Sequence, residues 1–165
     1  MNTIRFGILT ISDRSARSMR PDASGPALAD LILKQGWLVV KKAVLPDEIS
    51  AISDTLIQWA EGGECDVILT TGGTGFAARD VTPEATRLAI QREAPGLAEA
   101  MRSASLMKTQ HAMLSRAIAG IRGQTLIINL PGSPKGALEN LQTILPVLFH
   151  ASQLLHDDPD SEKSH

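Results

Sequence analysis

The sequence predicts an α/β protein of three layers, α/β/α, with a mostly parallel central sheet. Apolar runs at 4–11, 37–45, 66–71 and 125–130 alternate with stretches of helical spacing, the pattern of parallel strands joined by crossover helices. A glycine-rich turn follows the third run directly, where such sheets bind ligands outside the carboxyl ends of their strands. At 165 residues the chain is long enough for one domain with a substantial core.

Each element has a local reason. The first run, Ile4-Arg5-Phe6-Gly7-Ile8-Leu9, follows Met1-Asn2-Thr3, with no basic leader or small-residue cleavage site to read as an export signal. The expected location is therefore the cytoplasm. The segment from Ser12 to Ala23 is rich in charge (Asp13, Arg14, Arg17, Arg20, Asp22) and is expected to close over a ligand. A first helix should start near Ser24-Gly25-Pro26, bury Leu28, Leu31 and Ile32, and stop at Gly36. Ile49, Ile52, Leu56 and Ile57 mark a second. A third should begin at Thr82, with Thr82 as cap, Pro83 in the first position and Glu84 complementing the helix dipole. Pro95-Gly96 should break it before a helical stretch carrying Leu97, Met101 and Leu106. The last helix should follow Pro134 and run towards Leu155, with Pro146 kinking or interrupting it. One domain is thus expected over 1–155, and a polar, disordered tail over 156–165.

Composition excludes several classes. The longest apolar run falls well short of the roughly 18 residues that cross a bilayer. A net charge of −2 and five aromatic residues, two Trp and three Phe, argue against nucleic acid as a partner, since neither a general polyanion surface nor stacking platforms are available. Cys65 is the only cysteine, which excludes an internal disulfide and any multi-cysteine metal site. Flanked by Glu64 and Asp66, it is expected to be buried and inert. His111, His150, His156 and His165 lack metal-ligand spacing, and Trp37 and Trp59 are expected to pack.

The chemistry concentrates in Thr70-Thr71-Gly72-Gly73-Thr74-Gly75-Phe76-Ala77-Ala78-Arg79-Asp80-Val81-Thr82-Pro83-Glu84. Glycines let backbone N–H groups approach an anion closely, so the turn outlines a phosphate cradle. Asp47 follows the second strand as Asp80 follows the third, and parallel strands bring both to one edge. Two carboxylates beside a phosphate cradle suit Mg²⁺, which takes oxygen ligands while bridging protein and phosphate, and make nucleotidyl transfer chemically sensible. The plainer alternative is a tight turn with two ordinary cap or turn aspartates.

This string resembles the signature of the molybdenum-cofactor biosynthesis family, the MogA/MoaB proteins and the G domains of plant Cnx and animal gephyrin. Met113-Leu114-Ser115-Arg116-Ala117-Ile118-Ala119-Gly120-Ile121-Arg122-Gly123 and Thr125-Leu126-Ile127-Ile128-Asn129-Leu130-Pro131-Gly132-Ser133-Pro134 resemble its second half. With Ile11-Ser12-Asp13 and Leu45-Pro46-Asp47-Glu48, the likeness spans roughly 4–155 in the family's order. Departures are small: Ala78 stands where many relatives place Pro, and Ser133 occupies a variable turn position.

The resemblance implies a MogA-like fold and a nucleotidyltransferase, a molybdopterin adenylyltransferase that moves AMP from Mg-ATP to molybdopterin and releases pyrophosphate. It assigns catalysis and Mg²⁺ to Asp47 and Asp80. It assigns nucleotide contacts to Gly72, Gly73, Thr74, Gly75, Asn129, Pro131 and Gly132. Ser12, Ser105 and Ser115 match serines of the family's site. Arg116 and Lys135 are candidate donors to the pterin or nucleotide phosphates, with solvated surface charge as their plain alternative. A homotrimer is implied, using apolar surface around Leu97 to Leu114, as is a molybdenum insertase partner. The competing expectations are a non-catalytic MoaB-like accessory protein or scaffold and, further off, a generic nucleotide or flavin protein.

Overall fold

The computed structural model describes residues 3–159. In chain order the elements are β1 (Arg5–Ile11), α1 (Asp13–Ala16), α2 (Ser24–Lys34), β2 (Leu38–Leu45), α3 (Ile49–Glu61), β3 (Val67–Thr71), α4 (Thr82–Ala89), β4 (Arg92–Glu93), α5 (Pro95–Leu106), a 3-10 turn (Gln110–Leu114), β5 (Ala119–Arg122), β6 (Thr125–Leu130) and α6 (Pro134–Leu155).

The sheet runs β2-β1-β3-β6-β5-β4. β1, β2, β3 and β6 are parallel, whereas β5 and β4 extend the far side through antiparallel pairing. β3 and β6 are buried at every residue, as expected of strands covered on both faces, which read as continuous apolar runs rather than alternating ones. Alternate side chains then feed two cores. Phe6, Ile8, Leu69 and Ile128 meet Leu28 and Ile32 of α2, Met101 of α5, and Leu141 and Leu148 of α6. Leu9, Ile11, Ile68 and Ile127 meet Ile52 and Leu56 of α3 and Ala85 and Ala89 of α4. Trp37 stacks on Phe6 with ring centroids 5.5 Å apart, Trp59 lies in the second core, and both tryptophans therefore pack. Cys65 is buried there too, and burial pushes its thiol up to about 11.

The four expected strands, β1, β2, β3 and β6, and most helices lie where the sequence places them. Three departures have clear causes. The third helix ends at Ala89, before Pro95, because Ile90 turns extended (ψ 151°) to start β4. Pro95 instead opens α5, a position where its missing N–H costs nothing. Pro146 does not interrupt α6, which is continuous for 22 residues. Pro146 and Gln142 are exposed, so the carbonyl left without a donor faces water, while Leu141, Ile144 and Leu148 hold the opposite face in the core. Finally, the polar tail is tied down at its start. Asp158 N donates to Gln153 O at 3.0 Å, and His156 Nε2 lies 3.0 Å from Asp66 Oδ1. Residues 160–165 lie outside the described residues.

After β1 the chain moves to β2 on one side and then to β3 on the other, so the strand order reverses at β1/β3. A crevice opens at such a point, beyond the carboxyl ends of the strands. Among the described residues no helix is long and apolar enough to cross a membrane.

Candidate functional site

Each parallel strand delivers residues to a cleft of about 770 Å³: Ser12 and Asp13 after β1, Asp47 after β2, Gly72 and Gly73 after β3, and Gly132 and Ser133 after β6. Asp80, from the loop entering α4, closes the set.

Gly72 (φ 104°) and Gly73 (φ 68°) form the turn that leaves β3, in backbone conformations that L side chains rarely adopt. Gly72 N donates to Leu130 O at 3.1 Å, and Thr71 Oγ1 donates to Pro131 O at 2.7 Å, locking the turn to the end of β6. The glycine carbonyls point the other way: Thr82 Oγ1 donates to Gly72 O at 2.8 Å and Thr82 N to Gly73 O at 3.0 Å. Thr82 is thus the first residue of α4 and a brace for the turn, not the expected helix cap; Val81 takes the cap position. The N–H groups of Gly73, Thr74 and Gly75 have no partner among the described residues, which leaves them available to an anion.

The acids are held by backbone. Asp47 Oδ2 accepts from Asp13 N and Asp13 Oδ1 accepts from Asp47 N, both at 3.0 Å, a reciprocal clasp between the loops after β1 and β2. Arg79 adds the third loop, donating through Nε and Nη2 to the two oxygens of Asp13 at 2.9 and 2.8 Å. The Arg79 guanidinium and the Asp47 N–H hold Asp13 down to about 2. Burial pushes Asp47 above the usual carboxylate range; the Asp13 N–H opposes this, and the charges of Asp13 and Asp80 add to it. Asp80 Oδ2 accepts from Ala77 N at 2.9 Å, while Asp80 N donates to Ala77 O at 2.9 Å, so a closed turn fixes that carboxylate. The hydrogen bonds to Asp47 and Asp80 leave one oxygen of each carboxylate unengaged beside the glycine turn.

A second pocket, of about 330 Å³, lies on the other side of the turn and is lined by Thr74, Gly75, Ser105, Ser115 and Pro131, with Ser133 common to both. The residues expected at the site therefore divide. Ser12, Asp47, Gly72, Gly73, Asp80 and Gly132 share the acidic cleft, whereas Thr74, Gly75, Ser105, Ser115 and Pro131 share its neighbour.

Three expected residues line neither cavity. Asn129 is fully buried: its Nδ2 donates to Thr70 Oγ1 (3.0 Å) and Thr86 Oγ1 (2.9 Å), and its Oδ1 accepts from Ile118 N (3.2 Å). Its carboxamide is thus spent on β3, α4 and the residue just before β5. Arg116 is likewise spent within the protein. Nε donates to Gly75 O (2.8 Å), Nη2 donates to Asp80 O (2.6 Å), and Nη1 pairs with Glu84. Lys135 is exposed on the first turn of α6 and lines neither cavity.

Conversely, the pairing of Asp13 with Arg79 and the places of Arg14 and Arg20 on the cleft wall go beyond the expectation that the charged 12–23 segment closes over a ligand. The charge density of 12–23 was the signal available for them; which of those charges face inwards depends on the turn that follows α1.

Known proteins are similar to this chain in sequence and fold. A family described as a probable molybdopterin binding domain matches residues 7–150. The molybdenum cofactor synthesis protein cinnamon of Drosophila melanogaster is 48% identical over 159 residues, 96% of this chain and 26% of that protein, so the chain spans about a quarter of this relative's length. The molybdopterin adenylyltransferase of Helicobacter pylori strain J99 is 40% identical over 157 residues, 94% of this chain and 89% of that protein. The crystal structure of the molybdopterin biosynthesis enzyme MoaB from Thermus thermophilus superposes with a TM-score of 0.89 at 50% identity, covering 95% of this chain and 99% of that one.

Proposed function

The chain belongs to the molybdopterin-binding domain family of molybdenum cofactor biosynthesis, and from that premise we propose that it is a molybdopterin adenylyltransferase, which joins AMP from ATP to molybdopterin and releases pyrophosphate. The observation that carries this reading is the meeting of Asp47, Asp80 and the unpartnered amides of Gly73, Thr74 and Gly75 at the ends of four parallel strands.

The donor set fits Mg²⁺. No group of three His, Cys, Asp or Glu that could hold a metal alone occurs among the described residues, but Asp47 and Asp80 each keep one oxygen free beside the phosphate cradle, and Mg²⁺ is commonly held by one or two carboxylates with substrate phosphates and water completing its shell. When bound, the ion would offset charge on the triphosphate as the α-phosphorus is attacked. The protein's own part is placement. The turn amides hold the phosphate chain in line, and the Asp13–Arg79–Asp47 clasp keeps three loops at fixed separation. An oxygen of the molybdopterin phosphate attacks the α-phosphorus, a new phosphoanhydride forms, the α–β anhydride breaks, and pyrophosphate leaves. We place the triphosphate in the acidic cleft and the pterin in the neighbouring pocket with Ser105 and Ser115, so that the two substrates meet across the glycine turn.

Pyrophosphate release from Mg-ATP, measured with and without molybdopterin, tests this. Wild type should release it only with the pterin, and Asp47→Asn and Asp80→Asn should each lose on the order of 100-fold, the scale of removing a positioned electrostatic group. Folded wild type that binds the pterin and releases nothing would make the chain a non-catalytic carrier. Leu106, Met107, Met113 and Leu114 are 40%, 88%, 63% and 47% exposed; this apolar surface supports a homotrimer, and light scattering that gave a monomer would overturn that assignment.

A further inference from the structure

The acidic cleft has a basic wall that the reading above leaves unused. Four of its lining residues are aspartates, and each carboxylate is already engaged: Asp13 by Arg79 and Asp47 N, Asp22 by Thr10 Oγ1 and Gly25 N, Asp47 by Asp13 N, and Asp80 by Ala77 N. Two other lining residues are Arg14 and Arg20. Neither guanidinium has a hydrogen bond or ion pair with any of the described residues, and both are exposed.

Their pairing is built by the backbone. α1 ends at Ala16, Ser18 adopts a left-handed conformation (φ 56°), and Met19 N donates to Arg14 O at 2.8 Å. This reversal folds the segment back on itself and returns Arg20 to the cleft that Arg14 already lines. A guanidinium presents several donors in a planar fork that matches phosphate oxygens. Two of them without partners, on one wall of a cleft whose acids each already accept at least one hydrogen bond from the protein, suit the oxygens of a polyanion.

We propose that Arg14 and Arg20 bind the β- and γ-phosphates of the nucleotide and hold the pyrophosphate as the α–β bond breaks. The inference rests on the adenylyl-transfer reading for its choice of ligand. The charge count agrees. Four carboxylates without these arginines would repel a triphosphate, and the Arg79 charge is already committed to Asp13. With the metal ion between the carboxylates and the phosphates, the two arginines supply the remaining positive charge at the leaving end. They neither touch the α-phosphorus nor transfer a proton; they stabilise charge that grows on the departing group.

Calorimetric titration with AMP, ATP and inorganic pyrophosphate, each with Mg²⁺, tests it on wild type, Arg14→Gln, Arg20→Gln and Arg20→Lys. Both side chains are exposed and unbonded, so the variants should fold, with circular dichroism as the check. AMP affinity should stay within about twofold. Pyrophosphate and ATP should each weaken roughly three- to tenfold per glutamine substitution, the range for a charge-assisted contact at an open site, and Arg20→Lys should recover part of the loss. Equal weakening of AMP and ATP, no change at all, or wild type that does not bind pyrophosphate would overturn the proposal. Lost molybdopterin affinity with ATP affinity intact would overturn it as well, placing the pterin's own phosphate on this wall. The two readings fail separately. A wild type that binds pyrophosphate through the arginines but never turns over contradicts adenylyl transfer alone, and a wild type that turns over unaffected by the arginines contradicts this proposal alone.

Discussion

At Gly73, φ is 68°, and a Cβ built there would meet Thr82 Oγ1 and lie 3.0 Å from Asp47 Oδ1. The residue therefore does two things at once: it lets the chain turn and it leaves space for the acid that faces the cleft. Gly73→Ala should cost about 2 kcal/mol or more, combining the left-handed penalty of an L residue with displacement of the Thr82 brace. A urea midpoint would measure that loss, and pyrophosphate release should fall further than stability alone explains because Asp47 must move. Unchanged activity in Gly73→Ala would show that the turn tolerates a side chain and that Asp47 is not pressed against it. Thr70, Thr71, Thr82 and Asn129 give the same lesson: each is buried, and each has its side-chain polar atoms bonded within the protein, Thr71 and Thr82 at the turn itself.

Among elements, the 74–80 loop depends on a side chain 36 residues from Asp80 in sequence. Arg116 N donates to Thr74 O at 2.9 Å while its guanidinium spans Gly75 O, Asp80 O and Glu84. Arg116 also holds Glu84 below the usual carboxylate range. The loop is thus fixed at both ends before any ligand arrives. Arg116→Gln should speed amide exchange across 75–80 by at least about tenfold, roughly 1.4 kcal/mol of local opening, with little change in β1 or β3. Exchange unchanged in that window would mean that the closed turn of Ala77 and Asp80 suffices alone. The Asp13–Arg79 pair does comparable work between the loops after β1 and β3, although Arg79 is exposed and Asp13 partly so, and salt should weaken it.

Across the whole molecule, the end of the sheet away from the cleft is closed by Asp66, 1% exposed. Its carboxylate accepts from Arg5 N (2.7 Å), Nε (3.1 Å) and Nη2 (2.7 Å) and lies 3.0 Å from His156 Nε2. These contacts join the starts of β1 and β3 to the residue just past α6. Burial disfavours the Asp66 charge, but the Arg5 bonds and His156 outweigh it and leave the carboxyl below its ordinary value of 3.8. A carboxyl whose folded pKa is depressed stabilises the fold above the unfolded value and loses that contribution as pH falls through the folded one. Unfolding free energy should therefore drop as pH falls below about 4, and Asp66→Asn should be less stable at neutral pH and should lose less on acidification. Parallel urea titrations at pH 3 and 7 would show it; an equal loss in both proteins would place the acid sensitivity elsewhere.

Much of this was legible in order along the chain. Val67-Ile68-Leu69 reads as a strand because it is apolar without interruption, and it is buried on both faces. The turn from Gly72, the acids Asp47 and Asp80 at strand ends, and the starts at Ser24 and Pro134 are local properties of composition and backbone freedom, so the sequence by itself determined them, and with them the fold class. Short β4 and β5 were not read, since two and four residues carry too little periodicity; the Gly123-Gln124 turn between β5 and β6 was the available clue. Only the tertiary structure decided which polar side chains face a ligand and which face the protein. Asn129 and Arg116 looked like ligand contacts and are bonded within, whereas Arg14 and Arg20, read only as part of a charged segment expected to close over a ligand, line the cleft. The reason is physical: a side chain's type states what it can bond, but its partner is set by which loops the sheet brings together, and here those loops lie tens of residues apart.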